Sequence, residues 1–141
     1  MDLPDKIELE IVTPEQLVFS GQVDEVNMPG SEGYFGVLPG HTPLLSELGV
    51  GVISYLQGDT KVHLFCGRGF VEILPNRISV LTEVVKMADD IDVEDAMSQK
   101  NEAETLLRSL DENVDYIQTM DIFEQATVQL ELAEKTARNT H

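Results

Sequence analysis

The chain has little of what most catalytic and metal sites need. Its 141 residues include one cysteine, three histidines and no tryptophan. Because a single cysteine cannot form a disulfide within the chain, we interpret Cys66, in an apolar and strand-like stretch, as a buried, unreactive thiol. A zinc site needs three or four converging ligands, whereas His63 lies on the polar side of a strand and His141 is the last residue of the sequence. We therefore predict no metal site and no cofactor.

Basic side chains and long apolar runs are also scarce. The chain has nine Lys and Arg and 26 Asp and Glu, which gives a formal net charge of -17. Nucleic-acid binding needs clustered Lys and Arg, and an anionic lipid surface would repel this chain. No apolar run approaches the roughly 20 residues of a membrane helix, and the start MDLPDKIELE has acids where a signal peptide has bases. We predict a soluble, cytoplasmic protein with no nucleic-acid partner and no insertion into a membrane.

The sequence patterns of common active sites are missing. There is no GxSxG nucleophile motif. The glycines of residues 67–69 lack the longer frame of a phosphate loop and lie between predicted strands. The acidic run of residues 89–95 lacks the glycine and the bidentate glutamate of an EF-hand loop. We therefore predict no catalytic residue.

The most distinctive stretch is MPGSEGYFGVLPGHTPLL, residues 28–45, which holds four glycines and three prolines. Glycine permits positive φ and proline fixes φ, so this density specifies a particular loop path. We expect His41 to hydrogen-bond the backbone of its own loop. The residues predicted to pin these loops onto a core are Tyr34, Phe35, Val37, Leu38, Leu44 and Leu45, and the predicted loop framework is Pro29, Gly30, Gly36, Pro39 and Pro43.

Up to residue 87 the hydrophobic pattern has a period of two. Ile7, Leu9 and Ile11 alternate with charged residues, as in a strand with one buried face. Short strands, frequent turn signals and no intervening helix indicate a flattened antiparallel sandwich or barrel. We predict an N-terminal β-sandwich of eight to ten strands over residues 1–87.

From residue 88 onward the apolar spacing lengthens to that of a helix. One apolar stripe runs from Val93 to Leu110, and after a polar break a second runs from Ile122 to Ala137. The short break predicts an antiparallel helical hairpin over residues 88–141, which makes the overall class α+β. A hairpin with two narrow stripes has little core of its own, so we expect a movable element.

These motifs together resemble the epsilon subunit of the F-type ATP synthase. The resemblance is carried by residues 12–45, by GRGFVEILPNRISVLTE over residues 67–83 and by VDYIQ over residues 114–118. The block PGSEG followed by GVLPGHTPLL is its most specific part, and the helical half matches more weakly. The resemblance implies a β-sandwich followed by a helical hairpin, in the order that the hydrophobic patterns predict independently.

The resemblance also implies a role and partners. In that family a non-catalytic sandwich binds the gamma subunit and the polar loops of the membrane c-ring, and couples proton-driven rotation to ATP synthesis. The hairpin can fold onto the sandwich, or extend along gamma towards the beta subunits and restrain ATP hydrolysis. The resemblance implies that the protein lies at the cytoplasmic face of a bacterial inner membrane, as a peripheral part of the ATP synthase complex. The implied c-ring contact comprises Ser31, Glu32 and Gly33, with Gly40 and His41 of a neighbouring loop beside them.

The helical half departs from the nucleotide-binding members of the family, which carry the pattern I/L-D-x-x-R-A at the first helix. Ile91, Asp92 and Ala96 match that pattern, whereas Asp95 replaces the arginine that would meet phosphate. Two arginines of the second helix are also replaced by glutamine. Because anionic phosphates need such cations, we predict no ATP binding below millimolar concentration. The two glutamines are Gln125 and Gln129.

The charge of the hairpin is a further departure. Residues 89–141 have a net charge of -10, against -7 for residues 1–88. The family's inhibitory hairpin uses basic residues against an acidic segment of the beta subunits. Like-charge repulsion should therefore disfavour that docking here.

Two other classes of protein are considered alongside the stalk subunit. A free-standing ligand-binding sandwich, for example for sugars, would need exposed aromatic residues on a concave face. The chain has three Tyr, five Phe and no Trp, which is a thin supply. A small metal-dependent enzyme would need clustered histidines, which the sequence lacks.

Overall fold

The computed structural model describes residues 4–139. These residues form ten β-strands, a short 3-10 helix and two α-helices, and the chain divides into two compact units between Lys86 and Met87. The ten-stranded sandwich followed by a helical pair confirms the predicted fold class. The elements are β1 (Ile7–Val12), β2 (Leu17–Val23), β3 (Glu25–Gly30), β4 (Gly33–Val37), β5 (Leu44–Leu48), β6 (Gly51–Gln57), β7 (Thr60–Cys66), β8 (Gly69–Leu74), β9 (Arg77–Thr82), β10 (Val85–Met87), the 3-10 helix (Ala88–Asp90), α1 (Val93–Arg108) and α2 (Tyr116–Asn139).

The strands form one sheet that curls back on itself. Their order is β10-β7-β6-β3-β5-β8-β9-β1-β2, with β4 paired to β3. The β1–β9 pair is parallel, with Leu9 opposite Ile78, and the other pairs with a described register are antiparallel. On closure β2 meets β6, where the ring centroids of Phe19 and Tyr55 lie 4.5 Å apart. Alternating hydrophobicity indicates which face of a strand is buried. It does not indicate which strand pairs with β1 or that this pairing is parallel.

Alternate residues of the strands point into one core. In β1, Ile7, Leu9 and Ile11 are fully buried, as the alternation predicted. Cys66 also lies in this core, and its burial raises the pKa of the thiol to about 12, so that the thiol stays protonated at neutral pH. The other members of the core are Val23, Val26, Met28, Val37, Leu48, Ile53, Tyr55, Leu64, Val71, Ile73, Ile78 and Val80.

The glycine-rich stretch of residues 28–45 is mostly strand rather than loop, because β3, β4 and β5 occupy much of it. Val37 belongs to the core and Phe35 packs against it, as predicted. The prediction that the other four apolar residues pin loops onto the core is wrong, since their side chains point to solvent. These four are Tyr34, Leu38, Leu44 and Leu45.

The second unit is a helical pair whose buried residues include three alanines beside larger side chains such as Leu132. The carboxylate of Asp92 caps α1 by accepting the N–H of Asp95 at 3.0 Å. Ala96 and Ala103 on α1 and Ala126 on α2 are buried, as expected from the two stripes. Small residues let two helices approach closely, but each one buries little apolar area.

The first apolar stripe ends earlier than predicted. Leu110 is 98% exposed, and α1 ends at Arg108. Ser109 turns the chain out of the helix, because both its N–H, at 3.2 Å, and its hydroxyl, at 2.7 Å, donate to the carbonyl of Leu106. The placement of Leu110 on the buried stripe is therefore wrong.

Candidate functional site

Ser31 and Glu32 form the tip of a tight hairpin between β3 and β4. Gly30 pairs with Gly33 across the hairpin, which leaves these two exposed residues as the whole connection. Gly33 has φ +126, a conformation that other residues rarely adopt. A Cβ added at Gly30 would lie 3.0 Å from the ring of Phe35. The two glycines thus frame a short, defined turn that presents one carboxylate to solvent.

The base of this turn is tied to the neighbouring strands. The N–H of Gly49 donates to the carbonyl of Pro29 at 2.9 Å, and Gly30 lies opposite Leu48 of β5. The hydroxyl of Tyr34 accepts the backbone N–H of Val52 at 2.9 Å. Sequence reasoning missed this last contact, because only the register of the sheet brings residues 34 and 52 together.

The loop that contains Gly40 and His41 lies at the other end of β5. The N–H of Gly40 donates to the carbonyl of Pro75 at 2.7 Å, and Leu44 pairs with Ile73 at the same end. The four residue steps of β5 separate Leu44 from Leu48, the residue opposite Gly30, by roughly 13 Å. Because β3 runs antiparallel to β5, the Ser31–Glu32 turn continues from Gly30 back along β5 in the direction of Leu44. The expectation that the two loops lie side by side stays a prediction.

Within its own loop His41 is held by backbone contacts. Its Nδ1–H donates to the carbonyl of Thr42 at 2.6 Å, and its backbone N–H donates to Leu38 at 3.2 Å. This is the local hydrogen bonding expected from the sequence. Gly40 has φ +88, so glycine is favoured there as well.

The predicted framework residues differ in burial and in how much space surrounds them. Pro29 is buried, Pro39 is half-buried and Pro43 is exposed. A Cβ added at Gly36 would meet only Asn27, at 3.9 Å. Sterically, Gly36 is therefore replaceable, whereas Gly30 is crowded.

A second surface feature of the sandwich, which the sequence did not reveal, is a row of outward-facing apolar residues across β8, β9, β1 and β2. Phe70 pairs with Leu81, Leu81 with Val12, and Val12 with Leu17. Phe70 and Leu81 are 57% and 58% exposed. Beside them lies a groove of about 300 Å³ lined partly by Val12, Pro14 and Leu81. We call these four paired residues the apolar row; exposed apolar patches of this kind mark interaction sites.

The apolar row and the Ser31–Glu32 turn lie at the same end of the sandwich. Gly30 pairs with Leu48, Leu48 with Gly69, and Gly69 with Thr82. Phe70 and Leu81 are the next residues along their strands from Gly69 and Thr82. One end of the sandwich therefore presents a polar turn and an apolar surface, with β5 between them.

The residues at the first-helix motif have structural roles in the hairpin. Ile91 and Ala96 are buried, and Asp92 is the helix cap. Asp95 accepts a hydrogen bond from the side-chain amide of Gln99 at 2.9 Å. The position that is arginine in nucleotide-binding members thus carries a hydrogen-bonded carboxylate.

The two glutamines of α2 differ in exposure. The amide of Gln125 donates to the carboxylate of Asp121 at 2.8 Å. Gln129 is one of the few buried polar residues, at 7% exposure. Neither side chain carries the positive charge that a phosphate would need.

The part of the chain between residues 4 and 139 brings no three His, Cys, Asp or Glu residues together in an arrangement that could hold a metal ion. His63 is hydrogen-bonded through Nδ1 to the hydroxyl of Ser54 at 2.7 Å. His141 lies outside the described residues. In the same described range, no helix has the length and hydrophobicity needed to span a membrane.

Comparison with protein families matches both units of the chain. Residues 6–88 match the family model described as ATP synthase, Delta/Epsilon chain, beta-sandwich domain. Residues 89–134 match the model described as ATP synthase, Delta/Epsilon chain, long alpha-helix domain. The two matches follow each other in the order of the two structural units.

Named relatives are similar over most of their length. The ATP synthase epsilon chain of Nitratidesulfovibrio vulgaris (strain DP4) is 41% identical over 124 residues, which cover 88% of this chain and 92% of the relative. The ATP synthase epsilon chain of Solibacter usitatus (strain Ellin6076) is 38% identical over 135 residues, covering 94% of this chain and 99% of the relative. These matches do not favour the free-standing ligand-binding sandwich.

Solved structures share the fold. A chain in the Euglena gracilis mitochondrial ATP synthase, a structure of OSCP/F1/c-ring in rotational state 1, superposes with a TM-score of 0.76 at 23% identity. The match covers 100% of this chain and 85% of that chain. A chain in the Tetrahymena thermophila mitochondrial ATP synthase central stalk/c-ring gives 0.55 at 10% identity, covering 93% of this chain and 96% of that chain. At such identities the likeness concerns the fold alone.

Proposed function

The chain belongs to the delta/epsilon family of ATP synthase subunits, and we propose that it is a non-catalytic central-stalk subunit coupling proton-driven c-ring rotation to ATP synthesis. The observation that carries this proposal is the shared end of the sandwich, where the Ser31–Glu32 turn and the apolar row lie together. A stalk subunit must hold a rotor partner firmly and must also meet the polar loops of the ring. A single surface with apolar and polar parts suits both tasks.

The apolar row is the proposed attachment to the gamma subunit. Its exposed side chains Phe70, Leu81 and Leu17 would bury apolar area in a stable contact, which contributes about 25 cal/mol for each Å². A permanent rotor contact needs such area more than it needs charge. The c-ring loops are polar, so the apolar row suits gamma better than the ring.

The Ser31–Glu32 turn, with Gly33, is the proposed contact with the c-ring. A carboxylate on a defined turn can pair with basic groups of the ring loops, and such pairs give orientation and specificity more than affinity. Gly40 and His41 lie at the other end of β5. A contact between these two residues and the ring therefore stays a prediction, separate from that of the turn.

The chain is proposed to associate with the membrane only through the ATP synthase complex. We place the chain at the cytoplasmic face of a bacterial inner membrane, held there by gamma and the c-ring. The hairpin is the proposed contact with the beta subunits and a proposed restraint on ATP hydrolysis. Its charge of -10 disfavours an acidic partner surface and weakens this restraint.

The test of the proposal is Glu32→Lys in an assembled ATP synthase. We expect fewer protons pumped for each ATP hydrolysed, because a lysine would repel basic ring loops. Asp59→Lys is the matched control: Asp59 lies on another two-residue turn, between β6 and β7, and that turn is at the opposite end of the sandwich. Unchanged pumping in Glu32→Lys would reject the ring contact, provided that both variants unfold at the same denaturant concentration as the parent.

A further inference from the structure

Tyr34 makes an unusual contact for an exposed residue. Its side chain points outward from β4 and is 60% exposed. Its hydroxyl nevertheless accepts the backbone N–H of Val52, on β6, at 2.9 Å. Since β3 pairs with both β4 and β6, the ring of Tyr34 spans the width of β3 to make this bond.

The bond takes the place of a hydrogen bond that the β3–β6 ladder lacks. The β3–β6 ladder ends at the pair Asn27 and Ser54. Two residues further along β3 is Pro29, whose nitrogen has no hydrogen to donate to β6. The carbonyl of Pro29 accepts the N–H of Gly49 at 2.9 Å. Beyond the last ladder pair, the Val52 N–H is satisfied by the phenol rather than by β3. Backbone donors that lose a ladder partner need such a substitute.

Gly51 keeps open the space that the phenol occupies. A Cβ added there would lie 2.5 Å from the hydroxyl oxygen of Tyr34 and 2.8 Å from Cβ of Pro29. The phenol, the proline and the glycine are therefore closely fitted. This fit holds β4 near the start of β6, only two residues from the Ser31–Glu32 turn.

We propose that Tyr34 is a positioning residue for the Ser31–Glu32 turn, which it locks to β6 through the Val52 N–H, so that Glu32 meets its partner in a fixed orientation. The inference rests on the proposed function of the turn as the c-ring contact. The glycines at 30 and 33 set the shape of the turn, whereas the phenol adds a tie to β6 that helps to set the direction of the turn. Without the bond, the hairpin keeps the Gly49–Pro29 hydrogen bond and the Gly30–Leu48 pair as ties on this side, so its tip is held less firmly.

The test is Tyr34→Phe, which removes one oxygen atom and keeps the ring over Gly51. In the full chain, we expect the Val52 amide to exchange about fivefold faster, as loss of one hydrogen bond implies. NMR order parameters at residues 31 and 32 should fall. Core amides such as that of Ile53 should keep their protection. The matched control is Tyr116→Phe, which removes a hydroxyl bond to Ser109 in the helical unit.

A functional readout distinguishes positioning from simple stability. In the assembled ATP synthase, Tyr34→Phe should pump fewer protons for each ATP hydrolysed, whereas Tyr116→Phe should pump as the parent does. The inference is overturned if Val52 exchange is unchanged, or if it rises while pumping is unchanged. Glu32→Lys is measured in parallel. If it lowers pumping and Tyr34→Phe does not, only the positioning role fails; if neither lowers pumping, the ring contact fails with it.

Discussion

The sandwich core is filled by branched side chains such as Ile53 and Leu64, whereas three of the few buried residues of the helical unit are alanines, among them Ala103 and Ala126. Full burial of a side chain like isoleucine contributes about 1.5–3 kcal/mol, and a single methyl group contributes about 0.8 kcal/mol. A buried residue of the sandwich core therefore contributes more to the free energy of unfolding than a buried alanine of the helical unit. The comparison teaches that the sandwich is the unit better suited to hold a fixed surface, while the movable hairpin stays a prediction.

The largest expected effect comes from a cavity in the sandwich. Ile53→Ala should lower the free energy of unfolding by about 2–5 kcal/mol, because Ile53 is fully buried in the core. Denaturant unfolding followed by circular dichroism measures the change. Leu110→Ala is the control, since Leu110 is 98% exposed and should change stability by less than about 0.5 kcal/mol. Similar losses for both variants would refute the contrast between buried and exposed apolar residues.

A smaller effect is expected in the hairpin seam. Ala126→Leu should cost about 1–3 kcal/mol of local stability, because Ala126 of α2 is fully buried. Hydrogen exchange should speed up across α1 and α2 and stay unchanged in the sandwich. Ser98→Leu adds the same side chain at an exposed position of α1 and is the control. Faster exchange throughout the sandwich would show that the two units do not unfold independently.

The smallest expected effect concerns nucleotide. Calorimetry with ATP should detect no binding below millimolar concentration, because Asp95, Gln125 and Gln129 offer phosphate no positive charge. Titration of a nucleotide-binding family member serves as the positive control. A micromolar dissociation constant would show that the hairpin recognises ATP by other residues.

The sequence predicted the sandwich well wherever a local pattern decides the structure. The alternation of Ile7, Leu9 and Ile11 predicted a buried strand face, and all three are buried. The density of glycines over residues 28–45 indicated a chain path that uses positive φ, and Gly33 and Gly40 have φ +126 and +88. These features depend on neighbours in the sequence, which a single chain displays.

Features that depend on distant residues escaped prediction. The apolar row exists only because the register brings Phe70, Leu81 and Val12 into line across three strands. Tyr34 carried no local sign of its bond to Val52. Pairing partners, rather than element types, were the missing information.

In the helical half, one error came from a boundary, and others came from predicted stripe members that are exposed, such as Val93 and Ile122. The stripe was extended to Leu110, but Ser109 satisfies the carbonyl of Leu106 and ends the helix. Helix ends depend on such local side-chain bonds, and a serine within an apolar pattern gives only a weak signal of them. The identity of the buried alanines was predictable, because a period of 3.6 residues places them on one face.

The most direct test of the account compares an assembled ATP synthase that contains the full chain, residues 1–87 alone, or neither. ATP hydrolysis and ATP-driven proton pumping are measured on the same preparations. The account predicts that residues 1–87 restore pumping per ATP to the level of the full chain, with little change in hydrolysis, because the sandwich carries the proposed contacts. Failure of residues 1–87 to restore pumping, while they still bind gamma, would contradict the central claim that coupling resides in the sandwich.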